Sequence, residues 1–242
     1  MTNLHQVTYS SPNKMVHFLD MGLVPYKKAW DIQEELLMRM VQAKVNAHVA
    51  GQEPNSINHL LFCEHSHVYT LGKSGKDNHL LIDAQFLKTI GAEYFASNRG
   101  GDITYHGPGQ LIAYPIFDLE NFFTDIHLYM RSLEEVVIQT CAAFGILAHR
   151  MQGLTGVWVH ADSVQPAKIC AMGVKTSRWV TMHGLALNVN TDLNYFNHIV
   201  PCGIQDKSVT SIQKEVGREI NLEEVKSKMQ KAFADVFGLR YS

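Results

Sequence analysis

Residues 156–189 read GVWVHADSVQPAKICAMGVKTSRWVTMHGLALNV. Three β-rich runs lie in it: GVWVH at 156–160, AKICAMGV at 167–174 and RWVTMHGLALNV at 178–189. Each is bounded by glycine or polar residues, and no helical period separates them, so they predict strands joined as hairpins. Elsewhere helices intervene. An apolar stripe of Trp30, Leu37, Met40, Val41 and Val45 predicts a helix over 26–49, with the polar DIQEE segment on its other face. Asp83 is placed to cap a short helix that stops at Gly91, and Asp125 to start one through Phe144. Asn221 with Glu224 forms a capping pair for a last helix ending at Gly238. HLLFCEH (59–65), HVYTLG (67–72), AEYFASN (92–98) and LIAYPIFDL (111–119) read as further strands. Hairpins in one stretch and helical separators in others predict a single α/β domain of α+β, mixed-sheet type over 1–242, not a doubly wound parallel sheet.

Composition narrows the function. Of 242 residues, 21 are Lys or Arg and 23 Asp or Glu, a net charge of −2 that lacks the basic excess of a general nucleic-acid binder. No apolar run approaches the roughly 20 residues of a membrane span. The opening MTNLHQVTYSSPNKMV has no basic and apolar leader pattern, so a cytoplasmic protein is expected. Cys63, Cys141, Cys170 and Cys202 stand far apart with no CxxC pair, which predicts free thiols and no zinc site.

Four places carry chemistry. Arg99-Gly100-Gly101-Asp102-Ile103-Thr104-Tyr105-His106-Gly107-Pro108-Gly109-Gln110 packs four glycines among polar side chains, a design that lets a ligand approach the backbone. It is not a dinucleotide fingerprint, and no P-loop occurs. Its alternative is a surface turn between strands. In Pro201-Cys202-Gly203-Ile204 a cysteine sits in a turn, outside any apolar period, whereas Cys63 and Cys141 read as packing residues. A nucleophilic thiol needs a cationic or basic neighbour. Lys168 lies in an apolar run, where strand alternation puts it on one face with Cys170; it either snorkels to water or enters a pocket. Cys63, His65 and His67 would share a strand face as a soft-metal site needs, without an evident fourth ligand. His106 and His183 stand in glycine-rich stretches, with structural histidine as the default reading.

Taken together, RGGDITYHGPGQLIAYPIFDL (99–119), GVWV (156–159), KICAMGVKTSRWVTMHGLALNV (168–189), PCGI (201–204) and VTSI (209–212), with HVYTLGKSGK (67–76) before them, resemble the octanoyltransferases of lipoate biosynthesis. The matching segments span a core of about 60–212. The resemblance implies a domain similar to the lipoate- and biotin-ligase catalytic core. It makes Cys202 the acyl-accepting nucleophile and Lys168 its activating partner. It assigns substrate binding to Arg99 through His106, to Ala171-Met172-Gly173 and to Gly184-Leu185-Ala186. It implies no metal and no cofactor, because the donor, octanoyl-acyl carrier protein, is already activated. The implied acceptors are lipoyl domains of 2-oxoacid dehydrogenases and the glycine cleavage H protein. Lys73, Lys76, Lys175 and Arg178 are candidates for docking these acidic carriers, and Tyr105, Met172 and Leu185 for lining an apolar slot. Two departures from the family are Cys170, a second thiol expected near the pocket, and Leu154, where arginine is common. The rivals are an ATP-dependent ligase of the same fold and a non-catalytic protein that binds metal or acyl groups.

Overall fold

The three expected strands of the deciding stretch are present as β8 (Leu154–Val159), β9 (Ala167–Ser177) and β10 (Val180–Asn188). They pair antiparallel in sequence order. The structure, a computed structural model, describes residues 13–54, 56–200 and 208–242. Ahead of the hairpins come β1 (Met15–Leu23), α1 (Tyr26–Ala50), β2 (Asn58–Glu64), β3 (Val68–Leu71), α2 (Ala84–Thr89), β4 (Glu93–Ala96), β5 (Thr104–His106), β6 (Gln110–Ile116), α3 (Ile126–Ala142) and β7 (Ala148–Met151). After them come β11 (Ser208–Val209), α4 (Ile212–Val216), α5 (Leu222–Phe237) and β12 (Arg240–Tyr241).

The main sheet runs β12-β1-β2-β6-β10-β9-β8-β7, and β11 adds to β9. It is mixed: β12, β1 and β2 are mutually parallel, while β2 through β7 alternate. A second, three-stranded sheet has the order β4-β3-β5. The run HVYTLG therefore belongs to a different sheet from HLLFCEH, a separation that period-two patterns do not encode. β1, β5, β7, β11 and β12 are strands that the sequence reading did not place.

Capping decides the helix boundaries. Asp83 accepts from Phe86 N (2.8 Å) and Asp125 from Leu128 N (3.0 Å), as their positions predict. Asn221 caps α5 through Glu223 N (2.9 Å), one residue earlier than the expected partner Glu224. The α1 stripe also differs from expectation. Its buried positions are Tyr26, Ala29, Gln33, Leu37 and Met40, so Gln33 from the polar DIQEE segment faces inward.

The two faces of the main sheet are covered unequally. On one, α3 and α5 bury Leu133, Val137, Val225, Met229 and Phe233 against Leu185, Leu187, Ile169 and Cys170. Each such side chain removed from water contributes about 1.5–3 kcal/mol. On the other, α1 alone covers Leu61, Ile112, Tyr114, Met182 and Ala186. The small sheet packs beside it, and the space left between becomes a cavity.

Candidate active site

A bulge on β9 creates the site. Trp158 pairs with Lys168 but Val157 with Cys170, so one extra residue sits on β9 between the two pairs. The expected alternation therefore fails. Lys168 faces the cavity, whereas Cys170 is fully buried in the core under α3 and α5. Burial pushes the Cys170 thiol well above its ordinary range, and Cys141 adds to the effect. Cys170 is thus a packing residue and not a second thiol at the pocket.

The cavity has a volume of about 440 Å³. Of the expected binding residues, Arg99, Gly101, Asp102, Ile103, Thr104, His106, Ala171, Met172, Gly173, Gly184, Leu185 and Ala186 line it. Gly100 and Tyr105 do not. Gly100 instead donates its N–H to Val174 O (2.9 Å), tying the glycine-rich loop to β9. Tyr105 is buried on the other side of β5, stacked on Tyr195 at 4.8 Å, so it lines no acyl slot. The loop fits closely because its neighbours lack side chains: a Cβ on Gly173 would lie 2.6 Å from Gly100 O.

Buried polar groups set the electrostatics. The Arg99 guanidinium donates to Thr70 Oγ1 (2.9 Å) and to Gly100 O (3.0 Å). His106 donates from Nδ1 to Gln110 Oε1 (2.8 Å), and His183 from Nε2 to Asn98 Oδ1 (2.7 Å). Burial lowers both imidazoles to about 3, and the Arg99 charge pushes in the same direction. Both are neutral at physiological pH. Neither stands in a glycine-rich turn: His106 ends β5, and His183 lies within β10 with a left-handed φ of 59°, its N–H donating to Gln33 Oε1 (2.8 Å). Asp102 accepts from His79 Nδ1 (2.8 Å) and from Ile103 N (2.6 Å).

Of the soft-metal face expected of Cys63, His65 and His67, Cys63 and His65 stay together (Sγ to Nε2 3.7 Å), but His67, beyond the end of β2 at Glu64, does not join them. His65 turns inward, bonding Val24 O and Tyr114 Oη (both 2.8 Å), and His67 stacks on Tyr195 at 4.2 Å. Among the described residues no group of three His, Cys, Asp or Glu is placed to hold a metal ion. No described helix is long and apolar enough to cross a membrane.

Cys202, with PCGI at 201–204, lies outside the described residues; both flanks are described. Before it, Val200 N donates to His79 O (2.9 Å). After it, Ser208 and Val209 pair in parallel with Ala167 and Lys168, and Thr210 N donates to Lys168 O (3.0 Å). The lining residues missed by sequence reasoning include Tyr26, Ile112, Tyr114 and Trp158. Trp158 carried no signal for this place, since its register against Lys168 is set by the bulge, which strand alternation does not reveal.

Residues 25–234 match the lipoyl protein ligase A/B catalytic domain. An octanoyltransferase of Cytophaga hutchinsonii is 53% identical, the alignment covering 96% of each chain. One of Christiangramia forsetii is 53% identical over 93% of this chain and 97% of its own. In structure, a bipartite lipoate protein ligase of Thermoplasma acidophilum overlays with a TM-score of 0.67 at 15% identity, covering 96% of this chain and 86% of the other. A lipoate-protein ligase A bound with ATP gives 0.66 at 16% identity, over 95% and 87%. The two ligases share the fold alone, whereas the half-identical relatives carry the activity. A mixed-sheet domain with its cavity at the β9 bulge, half-identical along nearly its whole length to octanoyltransferases, belongs to the lipoyl protein ligase A/B catalytic family as an octanoyltransferase, an acyltransferase of protein lipoylation.

Proposed function

We propose that the chain takes octanoyl from octanoyl-acyl carrier protein onto Cys202 and passes it to a lysine of a lipoyl domain, with Lys168 as the proton-carrying partner. The observation that carries this reading is the pairing of Ser208–Val209 with Ala167–Lys168, which ties the segment following Cys202 to the strand that holds the lysine. The apolar cavity beside Lys168, bounded by Met172, Leu185 and Ala186, suits an alkyl chain.

In the first step the Cys202 thiolate attacks the thioester carbonyl. The new carbon–sulfur bond forms as the bond to the phosphopantetheine sulfur breaks, and the leaving thiolate takes a proton from the Lys168 ammonium. In the second step the acceptor's neutral lysine amine attacks the Cys202 thioester. The amide nitrogen gives its proton to the Lys168 amine, and the thiolate–ammonium pair is restored. No ATP enters, because one thioester replaces another and the amide is formed downhill. His106 and His183, neutral with pKa values near 3, are poor candidates for the proton carrier and suit a role in shaping the cavity. The acceptors expected are lipoyl domains of 2-oxoacid dehydrogenases and the glycine cleavage H protein. Lys73, Lys76 and Arg178 are exposed beside the site segments and Lys175 is half-buried, which suits docking of acidic carriers.

Intact-mass measurement after incubation with octanoyl-acyl carrier protein tests this. One octanoyl adduct, removable by hydroxylamine and absent from Cys202→Ala, is expected without ATP. An adduct that survives in Cys202→Ala overturns the nucleophile, and one that appears only with ATP restores the ligase alternative.

A further inference from the structure

We propose that Trp158 is a positioning residue of the transfer reaction, holding the Lys168 ammonium against its indole face so that the lysine enters the reaction as a cation. The inference rests on the reading of Lys168 and Cys202 above and adds the element that fixes the lysine's place. Trp158 and Lys168 are direct partners across β8 and β9. Lys168 Nζ stands 4.7 Å from the indole centroid, inside the roughly 6 Å range of a cation–π contact. The ring is 3% exposed and, like Lys168, lines the cavity, so solvent does little to weaken the attraction.

The stem is held as well as the head. Gly156 lies two residues before Trp158 on the same strand face, and a Cβ there would be 3.4 Å from Lys168 Cε. What excludes a side chain at Gly156 is Cys170 O, 2.6 Å from that Cβ position, and a φ of 114°; the bare backbone that results is the surface along which the lysine stem lies. Gly156 is itself pinned: its N–H donates to Glu134 Oε1 (3.1 Å), while the other oxygen of that buried carboxylate pairs with Arg131 (2.6 Å) and Arg150 (3.3 Å). Glycine under the stem and tryptophan under the charge form a two-point cradle.

Among the described residues, the charged and titratable groups around this cradle are these. Arg99, Asp102, His106 and His183 share the cavity, Glu134 sits behind Gly156, Cys170 lies on the opposite face of β9, and His149 pairs with Trp158 from β7. β11 brings Ser208 and Val209, neither of which titrates. The indole face favours ammonium over amine. A cationic lysine supports the Cys202 thiolate and has a proton ready for the departing pantetheine sulfur. Trp158 touches neither carbon nor sulfur of the reaction and acts through Lys168.

The test is the pH dependence of Cys202 alkylation by iodoacetamide, with steady-state kinetics beside it. Trp158→Leu should move the alkylation midpoint up by about half to one pH unit. It should also lower kcat roughly tenfold with KM for the donor little changed. Trp158→Phe, which keeps a weaker ring, should recover part of both. If the Leu variant does not fold, fluorinated tryptophans placed at 158 keep the shape and drain the ring's negative face. The shift should then grow with the number of fluorines. An unshifted midpoint in Trp158→Leu, or no ordering with fluorine, overturns the role of the ring. Cys202→Ala and Lys168→Met are run alongside. If acylation survives in either, the reading of the pair fails. If both suppress it while the ring series stays flat, only the role of Trp158 fails.

Discussion

Lys168 and Cys170 stand two residues apart on β9 and meet opposite conditions. Cys170 faces the side of the sheet covered by two helices, where burial in an apolar core keeps the thiol protonated. Lys168 faces the side covered by α1 and a small second sheet, where the cover is incomplete and polar groups are buried with their partners. The packed face supplies stability. The incompletely covered face collects an arginine, an aspartate and two histidines, all held by hydrogen bonds. A single extra residue decides which side chain meets which face. Local backbone irregularity, not composition, assigns chemistry along this strand.

The sharpest way to break the comparison is to ask whether the cavity face is loose. Gly184 lines the cavity, and a Cβ there would stand 2.2 Å from Ala113 O and 2.7 Å from Pro115 Cδ. Both atoms belong to β6, which cannot yield without opening the β6–β10 ladder. Gly184→Ala should therefore cost about 3 kcal/mol or more, a fall in Tm of roughly 6–12 °C for a chain of this size. Octanoyl transfer should fall with it. Gly91→Ala is the reference, since nothing lies within 4 Å there and only the positive φ of 63° is strained. About 1 kcal/mol is expected for it. Equal losses at the two sites would mean that the cavity wall has slack.

Much of this arrangement was legible in the sequence, for identifiable reasons. The long helices declare themselves through periodic apolar stripes and Asp or Asn caps, and the hairpins through adjacent β-rich runs. The glycine-rich loop declares its closeness to other backbone, because side chains would not fit. What escaped has equally physical causes. Strand order is set by long-range pairing, so the split that sends β3, β4 and β5 to their own sheet leaves no local trace. Alternation placed Lys168 and Cys170 on one face, and the bulge overturned it. The same parity argument holds for Cys63 and His65, which touch, and fails for His67, which lies past the end of β2 at Glu64. Gln33 was counted with the polar face of α1 for its chemistry, although the stripe through Ala29, Leu37 and Met40 passes through position 33. It is buried because His183 N needs its carbonyl.

A second prediction uses acid to separate the faces. His106 and His183 are held near 3 in the folded chain and His65 near 4, against about 6.5 for exposed histidine. Between these values the unfolded chain takes up protons that the native state refuses, so stability falls as pH falls below about 6.5 and is insensitive to these groups above it. Each histidine should cost on the order of 1 kcal/mol by pH 5.5. Urea unfolding at pH 7.5 and 5.5 measures the difference, and His106→Gln and His183→Gln should each reduce the slope. A wild-type curve unchanged between the two pH values would mean that the cavity hydrates on acidification and is less closed than its hydrogen bonds imply.

The smallest effect is expected where the packed face is disturbed by one atom. Cys170→Ala removes a sulfur that donates only a weak bond to Ala171 O at 3.4 Å, with Ile169, Val157 and Leu187 in the same core. Loss of one buried heavy atom and the small void it leaves should cost about 1 kcal/mol. Octanoyl transfer and its pH profile should not change, since the bulge and the Lys168 side of β9 stay in place. Alkylation of the native protein gives an independent readout. Cys63, Cys141 and Cys170 are buried, and burial raises all three thiols, so iodoacetamide should label none of them at neutral pH. One adduct per chain is expected, on Cys202, and the count should be identical in Cys170→Ala. A second adduct that disappears in Cys170→Ala would mean that β9 opens on the helical side. The two faces would then differ in degree rather than in kind. If the count stays at one while Cys170→Ala alone slows transfer, the core is coupled to the cavity through the bulge, and the strand carries more than packing across its width.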